Sequence, residues 1–108
     1  MTAKADDNRA KKIIIHADPA IAELIPGFLQ NRRKDIAAML DAVQRGEFES
    51  VRVLGHSMKG DGGGYGFDAI TDIGAALEQA AKQRNAVEIR DRVHELSRYL
   101  DQVEVISD

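Results

Sequence analysis

Apolar residues along the chain recur in steps of three and four, the spacing that lines one face of a helix. The first such stripe is Ile21, Leu24, Ile25, Phe28, Leu29, Ile36, Leu40 and Val43, ending at Arg45-Gly46. Asp18-Pro19 ahead of it predicts an N-cap followed by proline at the first helical position. Pro26-Gly27 falls inside this predicted helix, where proline removes a backbone bond and costs ~3 kcal/mol, so a kink is expected. Gly46 supplies a stop. The second stripe, Phe48, Val51, Leu54 and Met58, predicts a helix from near Glu47. The third, Phe67, Ile70, Ile73, Gly74, Leu77, Ala80 and Ala81, ends around Arg84-Asn85. The fourth, Ala86, Ile89, Val93, Leu96, Leu100 and Val103, has charges between its apolar positions. Four amphipathic segments with short connections predict an all-α fold, an antiparallel four-helix bundle. Ile13-Ile14-Ile15 predicts an extended N-terminal segment, strapped over the bundle by its apolar side chains. Residues 1–12 are polar and charged and predict a frayed or extended tail, which places the domain at 13–108.

Composition narrows the partners and the compartment. A chain of 108 residues supports a single core, and no tryptophan is present, so Leu, Ile, Val and Ala must build it. With no cysteine there are no disulfides or thiolate metal sites, which fits a reducing cytoplasm. The apolar runs are far too short for a membrane span. Lys4, Arg9, Lys11 and Lys12 precede only three isoleucines, too few for a signal-peptide core. A net charge of −3 argues against a nucleic-acid partner.

The candidate chemistry lies in Leu54-Gly55-His56-Ser57-Met58-Lys59-Gly60-Asp61-Gly62-Gly63-Gly64-Tyr65-Gly66. His56 falls off the apolar face of the second helix, with Arg52 one turn before it and Lys59 and Gly60 one turn after. A neutral imidazole, with an unperturbed pKa of about 6.5, is a good nucleophile near pH 7. Attack on an acyl phosphate gives a phosphohistidine. Lys59 on the same face can offset part of the phosphate's charge, and Gly60 leaves the surface open to an approaching protein. His16, at the start of the first helix, suits a capping or surface role. His94 sits among charges. No Glu-x-x-His pair recurs on two helices, so no metal site is expected. The glycines do not form a nucleotide loop: position 65 is Tyr where a dinucleotide fingerprint needs its third glycine, and Lys59 is not in the Gly-Lys-Ser/Thr order. Lacking a nucleotide site, the chain cannot phosphorylate itself from ATP. The glycines also oppose helix, each at about 1 kcal/mol relative to Ala.

His56-x-x-Lys59-Gly60 on an amphipathic helix, followed by a Gly-rich run, resembles the histidine phosphotransfer (HPt) domain family of His-Asp phosphorelays. Asp18-Pro19, Asn31-Arg32-Arg33, Gly66-Phe67 and Ile73-Gly74 leading to Leu77-Glu78 are also similar to that family, and the likeness covers residues 13–105. The resemblance implies that the second helix continues to Gly64. Some of its glycines would then allow close approach to a neighbouring helix, others to a partner. It also implies that His56 takes a phosphoryl group from a phospho-Asp of a receiver domain and passes it to another, with response regulators and a hybrid sensor kinase as partners. The family phosphorylates the ring nitrogen remote from the backbone. Lys59 would stabilise the charged form, Gly60, Gly63 and Arg52 would belong to the docking surface, and Arg32 or Arg33 would face the receiver's acidic pocket. The chain would be a phosphocarrier and not an enzyme. It would need no cofactor of its own, since the receiver carries the Mg²⁺. Gly55 before the histidine and Asp61 after Lys59-Gly60 depart from the common pattern, and Asp61 adds a negative charge near the site. Two rivals are a helical module that binds and sequesters a receiver or kinase, with His56 incidental, and the phospho-accepting domain of a larger chemotaxis-type kinase. The short chain and complete helix count speak against the second.

Overall fold

The computed structural model describes residues 12–107, so the tail expected over 1–12 lies, except for Lys12, outside the described residues. The elements follow in the order strand β1 (Ile13–Ala17), a 3-10 turn (Ala22–Leu24), helices α1 (Ile25–Gln44), α2 (Phe48–Gly64), α3 (Asp68–Lys82) and α4 (Ala86–Gln102), and strand β2 (Val103–Ser107).

The three helix–helix connections share one device. After α1, Gly46 adopts φ +74°, its N–H donates to the Val43 carbonyl and Glu47 N–H donates to the Ala42 carbonyl at 2.8 Å. Gly66, at φ +89°, ends α2 in the same way, with Phe67 N–H on the Gly62 carbonyl at 2.8 Å. Arg84 takes the left-handed position after α3, at φ 55°. These bonds satisfy the last carbonyls of each helix and reverse the chain within a few residues. Asn85 then caps α4, its side chain accepting from Glu88 N–H at 3.0 Å.

The start of the first helix departs from expectation. Asp18 closes a local turn, accepting from Ala20 N–H at 2.9 Å, and α1 begins only at Ile25. Pro26 therefore stands in the first helical turn, where its missing N–H costs nothing, and the kink expected there does not arise. Leu24, in the preceding 3-10 turn, is turned away from the core and exposed.

The core is otherwise the one the stripes predict. Val51, Met58, Phe67, Ile70, Leu77, Ile89, Val93 and Leu96 are all buried, and Met39 and Tyr99 join them from outside the predicted stripes. Val103 corrects the reading of the last segment. It does not extend α4 but opens β2, which pairs in parallel with β1 from Ile13↔Val103 to Ala17↔Ser107. Ile13 and Ile15 pack against the core while Ile14 is exposed, so the strap is a true strand with alternating faces.

The closest helix contact is the seam between α2 and α3. A methyl group on Gly55 would lie 2.7 Å from the Glu78 nitrogen, and one on Gly74 would lie 2.5 Å from the Lys59 nitrogen. One on Gly62 would meet the Thr71 nitrogen at 2.6 Å. Successive contacts along α2 fall at ever earlier positions of α3, so these two helices run in opposite directions. Side-chain-free backbone at three positions brings them together, and this contact builds the site.

Candidate functional site

His56 projects from α2, with its side chain 65% exposed. Because Gly55 lets the Glu78 backbone approach directly, the Glu78 side chain emerges beside His56 and Lys59. Its Oε2 lies 3.0 Å from His56 Nδ1, and its Oε1 lies 2.9 Å from Lys59 Nζ. Lys82, one turn further on α3, brings its Nζ to 4.0 Å from Oε2. Among the described residues Glu78 is the one charged side chain in the buried set, at 7% exposure, and it is engaged on both oxygens. The hydrogen bond from Lys59 holds its carboxyl well below the usual range, at about 2, outweighing partial burial, with the His56 contact adding to the effect.

An ionised carboxylate can only accept, so in the neutral ring of His56 this hydrogen bond places the proton on Nδ1. Nε2 then carries the lone pair on the exposed ring. The arrangement is a nucleophilic nitrogen facing solvent, with an ammonium group one turn along the same helix.

The low Glu78 pKa has a consequence for stability. A depressed carboxyl stabilises the fold fully above its unfolded value, near 4.5, and loses that contribution as pH falls toward about 2. Melting of wild type and Glu78→Gln between pH 2 and 7 should therefore differ most above pH 4.5 and converge near pH 2. A constant gap across that range would show that the ionised form contributes nothing.

The other sequence-predicted residues fall around this centre or away from it. Gly60 is exposed, and a methyl group there would meet nothing within 4 Å. Gly63 is exposed too, and its added methyl would touch only Thr71 Oγ1 at 3.6 Å and Asp68 Oδ1 at 3.9 Å. Arg52 binds Glu49 through both Nε, at 2.9 Å, and Nη2. Arg32 is held elsewhere: its guanidinium lies over the Phe28 ring at 4.6 Å and bonds to Asp35 at 2.8 Å, the pair almost covered. Burial pushes the Asp35 carboxyl up against the opposing pull of Arg32, and the charge of Asp61 pushes the same way. Arg33 reaches the last helix, bonding Asp101 at 3.1 Å. Neither arginine bonds to His56, Lys59 or Glu78. His94 is exposed on α4, and His16 lies in β1.

Two residues of this centre carried no assigned role in the sequence reading. Glu78 entered only as part of a family signature, although a carboxylate among buried Leu77, Ala80 and Ala81 marks a group that needs partners. Lys82 follows it at the helix-pair spacing of four residues.

The sequence of this chain matches the family model described as Hpt domain over residues 23–105, and the chain belongs to that family. Domains of this family carry phosphoryl groups on histidine in two-component phosphorelays and interact there with receiver domains; they are phosphocarriers, not catalysts. No curated protein and no solved structure gives a match. Among the described residues, no helix is long and apolar enough to cross a membrane.

Proposed function

We propose that this protein is a cytoplasmic phosphocarrier, an antiparallel four-helix bundle that accepts a phosphoryl group on Nε2 of His56 from a receiver domain and delivers it to another. The observation that carries the proposal is the Nδ1–Glu78 contact at 3.0 Å on a ring that is otherwise exposed. In the forward step the Nε2 lone pair forms the N–P bond as the acyl-phosphate O–P bond breaks, and the receiver's aspartate leaves as a carboxylate. The Nδ1 proton stays in its bond to Glu78, which offsets the positive charge that the ring gains. Return transfer reverses these changes. The receiver brings the Mg²⁺ and most of the catalytic groups.

Lys59 partitions between Glu78 and the incoming phosphoryl oxygens, so its charge is present before the phosphate arrives. Arg52, Gly60 and Gly63 make up the docking surface around the ring, and a hybrid sensor kinase is the natural source of one receiver. Arg32 and Arg33, on α1, border this surface and face the receiver's acidic pocket.

The test is transfer from a pool of labelled, phosphorylated receivers of the same cell. Acid-labile, base-stable label should appear on the wild-type protein. Receiver binding without any label would overturn the carrier reading in favour of a sequestering module.

A further inference from the structure

The glycine-rich end of α2 is helical against its own composition, since Gly60, Gly62, Gly63 and Gly64 each weaken it relative to alanine. Helix α3 supplies what holds it. The Thr71 hydroxyl donates to the Lys59 carbonyl at 3.0 Å and accepts from Gly63 N–H at 2.7 Å. Lys59 and Gly63 are four residues apart, so these two groups are the acceptor and donor of a single rung of the α2 backbone ladder. One side chain from the neighbouring helix thus clasps both halves of that rung. Gly62 makes this possible, because a methyl group there would sit 2.7 Å from the Thr71 oxygen.

The clasped rung begins at Lys59 itself, whose Nζ lies 2.9 Å from Glu78. It spans Gly60 and ends at Gly63, both on the face around His56. We infer that Thr71, which touches no reacting atom, is a positioning residue for phosphotransfer: its hydroxyl splices the last turn of α2 and so holds Lys59 and the open glycine surface in register with His56. This inference rests on the carrier reading given above. A loosened turn would leave the His56 ring and its bond to Glu78 in place while blurring the surface that a receiver must fit. The defect should therefore appear in receiver engagement more than in the intrinsic reactivity of the ring.

Thr71→Val keeps the branched shape and removes the hydroxyl, whereas Thr71→Ser keeps the hydroxyl. In Thr71→Val, hydrogen exchange at the Gly63 and Gly64 amides should quicken about tenfold. The receiver concentration needed for half-maximal transfer should rise about five- to tenfold, while phosphorylation by the small donor phosphoramidate stays within about twofold. Thr71→Ser should restore both properties. Wild-type exchange in Thr71→Val would overturn the splice, and faster exchange with unaltered receiver engagement would overturn the positioning role. An equal loss with phosphoramidate would also overturn it, by placing the defect at the ring. If wild type accepts no label from any receiver, the carrier reading fails and the positioning role with it. Amide exchange would still decide separately whether the hydroxyl holds the turn.

Discussion

Gly74→Ala should be among the most damaging single substitutions in this protein, lowering stability by about 2–4 kcal/mol. By helix propensity alone the change should help, because alanine is favoured over glycine by about 1 kcal/mol in a helix interior. The seam reverses the sign. The added carbon would lie 2.5 Å from the Lys59 nitrogen, 2.8 Å from the Gly55 oxygen and 3.0 Å from the Lys59 Cα. All three are backbone atoms of α2, which no rotamer change can move, so relief requires the two helices to separate. For a domain of this size the midpoint of thermal unfolding should fall by roughly 10–25 °C. Gly60→Ala is the matched control in the same protein. Its added carbon meets nothing within 4 Å, so only the propensity term acts, and stability should rise by up to about 1 kcal/mol. Thermal melts of the pair decide the matter: a Gly74→Ala protein as stable as wild type would mean that the seam is not set by backbone contact.

His56→Gln should abolish phosphoryl acceptance while leaving the fold intact. Glutamine can still bond to Glu78, but its amide offers no nucleophilic nitrogen, so the loss should be complete and not graded. The ring is 65% exposed, and its contact with Glu78 is the hydrogen bond described for it, so the melting curve should shift by no more than about 0.5 kcal/mol. Incubation with labelled receivers, paired with a circular-dichroism melt, separates the two effects. Label retained on His56→Gln would move the phosphoryl site to another residue. Lost label together with a collapsed melt would assign His56 a structural role instead.

The four helices were legible because each of the first three stripes of apolar residues ends at a left-handed position, Gly46, Gly66 or Arg84, that the next stripe follows closely. The start of α1 was not, because the local rules fit two prolines equally well. Asp18-Pro19 and Pro26 both suit a helix beginning, and packing of Ile25 and Phe28 into the core selects the second. Strand β2 was hidden for a different reason. Val103 continues the helical count of α4, and only pairing with β1 from the other end of the sequence turns it into a strand. At the candidate site, spacing places His56, Lys59 and Gly60 on one helix, and the resemblance of His56-x-x-Lys59-Gly60 to the family motif singles them out. Glu78 and Thr71 act across the seam, and spacing within a helix carries no information about that contact. The glycines that permit it were visible, and the structure divides them. Gly55, Gly62 and Gly74 face the seam, while Gly60 and Gly64 face open space.

The two short strands also decide how the domain meets mechanical force. Because β1 and β2 run in the same direction, pulling on the chain before Ile13 and after Ser107 slides one strand lengthwise past the other. All five cross-strand pairs from Ile13↔Val103 to Ala17↔Ser107 are then loaded at once, in shear, where a hairpin would yield one rung at a time. Tension arriving from flanking segments meets that shear clamp before it reaches any helix.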